Sequence, residues 1–231
     1  MGTARRIGRN LILLALSGCA GQSPANPDLR QLYESAIRDS AVRTPQSSVA
    51  LETIGSDHPE VTVATFTEWG VPATPLSRYT WVSLPQQLHA LCRQKPDTIL
   101  AIQEILGLPP APNPSQPGHR YQVITFKVPR ESLFRPCPSG TDVGTPRCAI
   151  DQTAKLDPET TRFLLDQIWS SDQLSDRPAQ IAGYPFTGMG WSYDWDPASP
   201  NHVGVSEYVI RPGAKISDPE IHEPAAFCNA S

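Results

Sequence analysis

The chain has 231 residues, 39% hydrophobic and 18% charged, with a formal net charge of −4. That is enough chain for one domain with a real core. No basic patch stands out beyond the N-terminus, so nucleic acid is not an expected partner. Proline is the outlier at 25 residues, about twice the usual share of roughly 5%. Proline ends helices and withholds a ladder hydrogen bond, so short elements and long ordered loops are expected.

In chain order, Arg5, Arg6 and Arg9 precede a short apolar run from Leu11 to Leu16 and then Leu16-Ser17-Gly18-Cys19. The run is too short to span a bilayer and has the form of an export signal. Leu-Ser-Gly-Cys resembles the lipobox of bacterial lipoproteins. The resemblance implies cleavage after residue 18, lipidation (palmitate) at Cys19 and a membrane partner through that anchor. Ala20 after the cysteine implies the outer membrane, facing the periplasm or the surface. Residues 1–18 then form the signal peptide, 19–60 a lipid-anchored tether with an N-terminal helix over 29–42, and 61–231 the globular domain.

Val61–Phe66 alternates and is β-branched, which predicts a strand. Tyr79–Leu84 predicts a second. Pro85 opens a helix, with Ser83 and Gln86 placed as a capping box. Asp97 caps the next helix, Thr98–Gly107. Tyr121–Val128 is a strong strand whose expected buried face is Gln122, Ile124, Phe126 and Val128. Asp157-Pro158-Glu159 starts a helix with Phe163, Leu164, Ile168 and Trp169 on its apolar face. Strands mixed with short helices point to α+β: a single compact domain with a mixed or antiparallel sheet, Pro-rich loops and two disulfides. Cys137 and Cys148 flank a polar loop and form a natural staple, which leaves Cys92 with Cys228, although four cysteines allow three pairings. No spacing suits a metal site.

The densest signal runs from Gly183 to Ile216. Tyr184, Trp191, Tyr193 and Trp195 sit among glycines and form a candidate recognition surface for an envelope protein or a cell-wall component. This non-catalytic binding role, with no cofactor, is the leading expectation. Glu207 then interrupts the apolar run Val203–Ile210, with Val205, Glu207 and Val209 expected on one face. An unpaired carboxylate between valines is costly to bury, so either it is solvated at an edge or it is aimed into a cleft. The run from Ser206 to Ile216, S-E-Y-V-I-R-P-G-A-K-I, resembles the catalytic-glutamate strand of ADP-ribosyltransferases. That resemblance implies an enzyme using NAD, with Glu207 as the catalytic carboxylate. It also requires an early arginine, for which Arg78 and Arg120 are the candidates, and a Ser/Thr at a strand end, for which Thr80 and Ser83 are. Val205 stands where many members carry a second acid or a glutamine, which speaks against transfer to arginine.

Overall fold

The computed structural model describes residues 28–93, 95–110, 120–150, 154–173 and 183–230. The elements run α1 (Leu29–Ser40), β1 (Glu60–Thr67), β2 (Thr80–Val82), α2 (Pro85–Cys92), α3 (Thr98–Ile105), β3 (Gln122–Pro129) and β4 (Leu133–Phe134). Then come α4 (Pro158–Gln173), β5 (Trp191–Tyr193), β6 (Val203–Ser206), β7 (Tyr208–Ile210), β8 (Ser217–His222) and α5 (Pro224–Cys228). The fold is α+β with antiparallel sheets. One sheet has the order β1-β3-β8, a second β2-β7-β4, and a third pairs β5 with β6. The first two sheets meet at one bridge, where Ala64 and Ser83 exchange backbone hydrogen bonds of 2.8 and 3.0 Å. Among the described residues, no helix is long and apolar enough to cross a membrane.

Local chemistry accounts for the helices. The Asp28 side chain accepts from the Arg30 amide at the start of α1, Asp97 accepts from Leu100 in α3, and Asp157 accepts from Thr160 in α4. Each cap satisfies an amide that the first helical turn leaves without a partner. The capping box expected at α2 does not form. Leu84 occupies the N-cap position with no side-chain bond, Ser83 is left over, and Gln87 reaches across to accept from the Ser206 amide at 2.7 Å.

β3 is covered on both faces, so its alternation misleads: Val123, Ile124, Phe126 and Val128 are all fully buried. Each such side chain contributes about 1.5–3 kcal/mol through burial. From Leu29 onwards the N-terminal stretch packs into the same domain. Tyr33, Ala36 and Ile37 of α1 surround Trp195, and Leu51 and Ile54 also enter the core. On α4, Phe163 and Leu164 are buried whereas Leu165 and Trp169 face out, so the apolar stripe is narrower than the sequence predicts.

Two disulfides close the structure, Cys92–Cys228 between α2 and α5, and Cys137–Cys148 across the loop after β4.

Candidate functional site

The stretch from Val203 to Ile210 hands over from one sheet to another, and Glu207 is the residue at the change. Ser206 pairs with Trp191 of β5, and Tyr208 pairs with Val82 of β2. The Glu207 amide leaves both ladders and donates to the Gly190 carbonyl at 2.9 Å. The expected alternation therefore breaks there: Val205 packs in the cluster under α2 and α3, whereas Val209 packs with Phe134 and Phe163. Gly204 is needed for this approach. A Cβ there would meet the Ile105 carbonyl at 2.2 Å and the Ser192 hydroxyl at 2.4 Å.

One step along from the Val82–Tyr208 pair, Ser83 and Glu207 occupy the next positions of the two strands. Both line a cavity of about 240 Å³. Its walls are Phe66, Trp81, Tyr184, Phe186, Leu106 and Leu108, with Gln167 at one side. The volume lies below the range of about 300–1,000 Å³ usual for drug-sized ligands, so a small molecule suits it. The Ser83 hydroxyl is buried without a hydrogen-bond partner. Among the described residues the Glu207 carboxyl has no hydrogen-bond or ion-pair partner either. Its side chain keeps some contact with the cavity, but the protein packed around it leaves little water to solvate a charge. Burial alone pushes its pKa from 4.5 up to about 8. At neutral pH it is mainly a neutral acid, able both to donate and to accept.

Behind Glu207 lies a second unusual group. Arg135 is fully buried and, among the described residues, has no carboxylate partner. Its guanidinium donates to the carbonyls of Glu52 (2.5 Å), Val143 (3.1 Å) and Gly190 (3.4 Å), and lies 4.7 Å from the centre of the Tyr208 ring. Only its Nε lacks a partner. Gly190 thus accepts from both Arg135 and Glu207, and its φ of +74° lets the backbone turn there.

The other sequence candidates are scattered. Arg120 pairs with Glu223 at 2.8 Å and does not line the cavity. Arg78 lines an adjoining hollow that shares Trp81 and Gln167 with it. Tyr184 is at the cavity wall and more than half exposed. Trp191 and Trp195 correct the expectation of an exposed aromatic surface, because both are interior. Their indoles donate to the carbonyls of Ser47 and Leu108, each at 2.9 Å, which anchors the glycine-rich loop on the core. Tyr193 lies half-buried, stacked on His202. Cys19 lies outside the described residues. Sequence reasoning missed the cavity walls supplied by Phe66, Trp81, Leu106 and Leu108. In the sequence they read as ordinary strand and helix apolar positions. Among the described residues no group of three His, Cys, Asp or Glu could hold a metal ion. Set against protein-family models, curated proteins and solved structures, the chain matches none.

Proposed function

We propose that the protein is an envelope lipoprotein, anchored through Cys19, whose domain binds a small uncharged ligand in the Glu207 cavity. The observation that carries this reading is a pair of unmet polar groups, the Glu207 carboxyl and the Ser83 hydroxyl, set side by side in an aromatic-walled cavity. Buried polar groups without partners cost stability, and a ligand that supplies partners recovers that cost on binding. A protonated carboxyl offers a donor next to an acceptor. A planar primary amide carried on an aromatic ring offers the complementary pair, and that ring would lie against Trp81, Phe66 or Phe186. The role of the 184–202 stretch is then divided: Tyr184 and Phe186 contribute walls, while Trp191 and Trp195 hold the loop in place.

A second reading is ADP-ribosyl transfer from NAD. It is favoured by the placement of Ser83 beside Glu207 at the strand position where the family resemblance puts the catalytic acid. Here Glu207 must act as a carboxylate, hydrogen-bonding a ribose hydroxyl and stabilising positive charge that develops on the sugar. Turnover would therefore rise as the pH passes through about 8.

Calorimetry of the chain from residue 20 onward with nicotinamide and with NAD separates the readings. Simple binding predicts heat with nicotinamide, weakening above pH 8, and no consumption of NAD. Transfer predicts release of nicotinamide from NAD that Glu207→Gln abolishes. Heat from neither ligand at any pH from 5 to 9 overturns the amide-binding reading. The anchor is tested by detergent partitioning of wild type against C19A; equal partitioning of the two would refute it.

A further inference from the structure

A second cavity, of about 310 Å³, opens between the end of α1, the turn after it and the β5–β6 hairpin. Its chemistry differs from that of the Glu207 cavity. Trp191, Tyr193 and His202 form a ladder of rings along it, with centroids 6.4 and 5.1 Å apart and the last two within 6° of parallel. His202 is held in this ladder at φ 56°, a backbone conformation that is uncommon away from glycine and marks a position fixed by its surroundings. Its Nδ1–H donates to the Asp194 carbonyl at 2.8 Å, so neutral His202 has Nε2 as a free acceptor.

Around the rings stand polar groups with bonding capacity left over. Among the described residues the Asp39 carboxylate, the Gln46 amide and the Tyr193 hydroxyl have no hydrogen-bond partner. Asn201 uses only Oδ1, accepting from the Val203 amide, which leaves its NH₂ free. Arg43 spends Nε on the Thr187 carbonyl and keeps its terminal nitrogens. The cavity thus offers donors and acceptors on several sides and one charge of each sign. It suits a ligand that is uncharged, has many hydroxyls and has one apolar face to set against a ring edge or face.

We infer that this cavity is a binding site for a neutral saccharide, one or two pyranose units of a glycan. It is separate from the Glu207 cavity and does not depend on what that cavity binds. Arg43, Asp39, Gln46 and Asn201 would take the hydroxyls, and Tyr193 with His202 would take the sugar face. In the envelope setting proposed above, such a site would hold the domain against a glycan.

The test is titration of the purified full chain with chitotriose and with cellotriose, followed by the NMR signals of the Tyr193 and His202 rings. At least one of the two should shift both rings. Asn201→Asp keeps the Oδ1 bond to Val203 but exchanges the free NH₂ donor for a charged carboxylate oxygen, and Asp39→Ala alters an exposed side chain. Each should weaken binding about tenfold, the loss of one or two hydrogen bonds, while leaving nicotinamide binding unchanged. The inference is overturned if neither saccharide moves the rings up to its solubility limit. It is equally overturned if saccharide binding survives both substitutions at wild-type strength.

Discussion

The half-buried Glu207 and the fully buried Arg135 meet at one carbonyl, that of Gly190, which accepts from the Glu207 backbone amide and from the Arg135 guanidinium, yet their ionisable groups are treated in opposite ways. Arg135 is wrapped: three carbonyls and a tyrosine face receive its charge, and the Tyr208 hydroxyl, which donates to the Glu52 carbonyl at 2.6 Å, closes the group off. Glu207 is left bare among the described residues, facing the cavity beside an equally bare Ser83 hydroxyl. A buried charge that is bonded at both terminal nitrogens holds the fold together, whereas the half-buried acid without partners is the group that the proposed ligand would meet. Both groups sit away from bulk water to different degrees, and their hydrogen-bond partners set them further apart.

The contrast can be broken most sharply at Arg135. Arg135→Met removes three charged hydrogen bonds from the interior, although each carbonyl keeps a second donor in Tyr208, Ile54 or Glu207, and should cost roughly 3–5 kcal/mol in urea unfolding. A loss below about 1 kcal/mol would show that Arg135 does not brace the fold. Removing the Cys137–Cys148 bond, whose sequence separation is 11, should cost about 3 kcal/mol by loop closure. Its sulfur lies next to Gly190 on the Arg135 side, so Glu207 should titrate as before; a shifted Glu207 pKa would show that the two sides are coupled.

Glu207→Gln should act in the other direction. With a folded pKa of about 8 against 4.5 for the free group, both states are protonated below pH 4.5 and there is no cost. As the pH rises from 4.5 to 8 the unfolded chain releases its proton first, so stability falls, and the full cost is present above 8. Glutamine removes that cost, giving a gain of about 1–3 kcal/mol at pH 9 after discounting for cavity water, and no gain at pH 4. Glu104, raised to about 7 by burial and then by Asp196 and Asp194, adds a slope of the same sign. The quantity to measure is therefore the difference between wild type and E207Q across pH. A difference that does not vary with pH would mean that Glu207 is solvated. The smallest expected effect is that of Ser83→Ala: a change within about 0.5 kcal/mol in stability, but weaker ligand binding in the Glu207 cavity.

Much of the frame was legible in the sequence because it rests on local chemistry. β1 and β3 lie within a residue of the predicted strands, α2 begins at Pro85 as its position demands, and the caps at Asp97 and Asp157 are made as read. Both disulfides join the favoured pairs. What escaped is non-local. β8 is almost wholly exposed and carries Asp218, Pro219 and Glu220, so nothing in its own residues signals a strand; it exists because β3 offers it an edge. Trp191 and Trp195 look like a recognition surface until α1 and the turn after it cover them. Glu207 could be named from sequence as the carboxylate in question. That it would stand beside a partnerless Ser83 depends on the pairing of β2 with β7, elements more than a hundred residues apart.

The bridge between Ala64 and Ser83 has a mechanical meaning. It is the point where the two three-stranded sheets touch, and both of its residues line the Glu207 cavity. The cavity is therefore a seam in the body as well as a hollow in its surface. A molecule seated there would wedge the seam and stiffen one sheet against the other. Occupancy should then be readable far from the ligand, as slower hydrogen exchange at the amides of Ala64 and Ser83 and along the strands that they join.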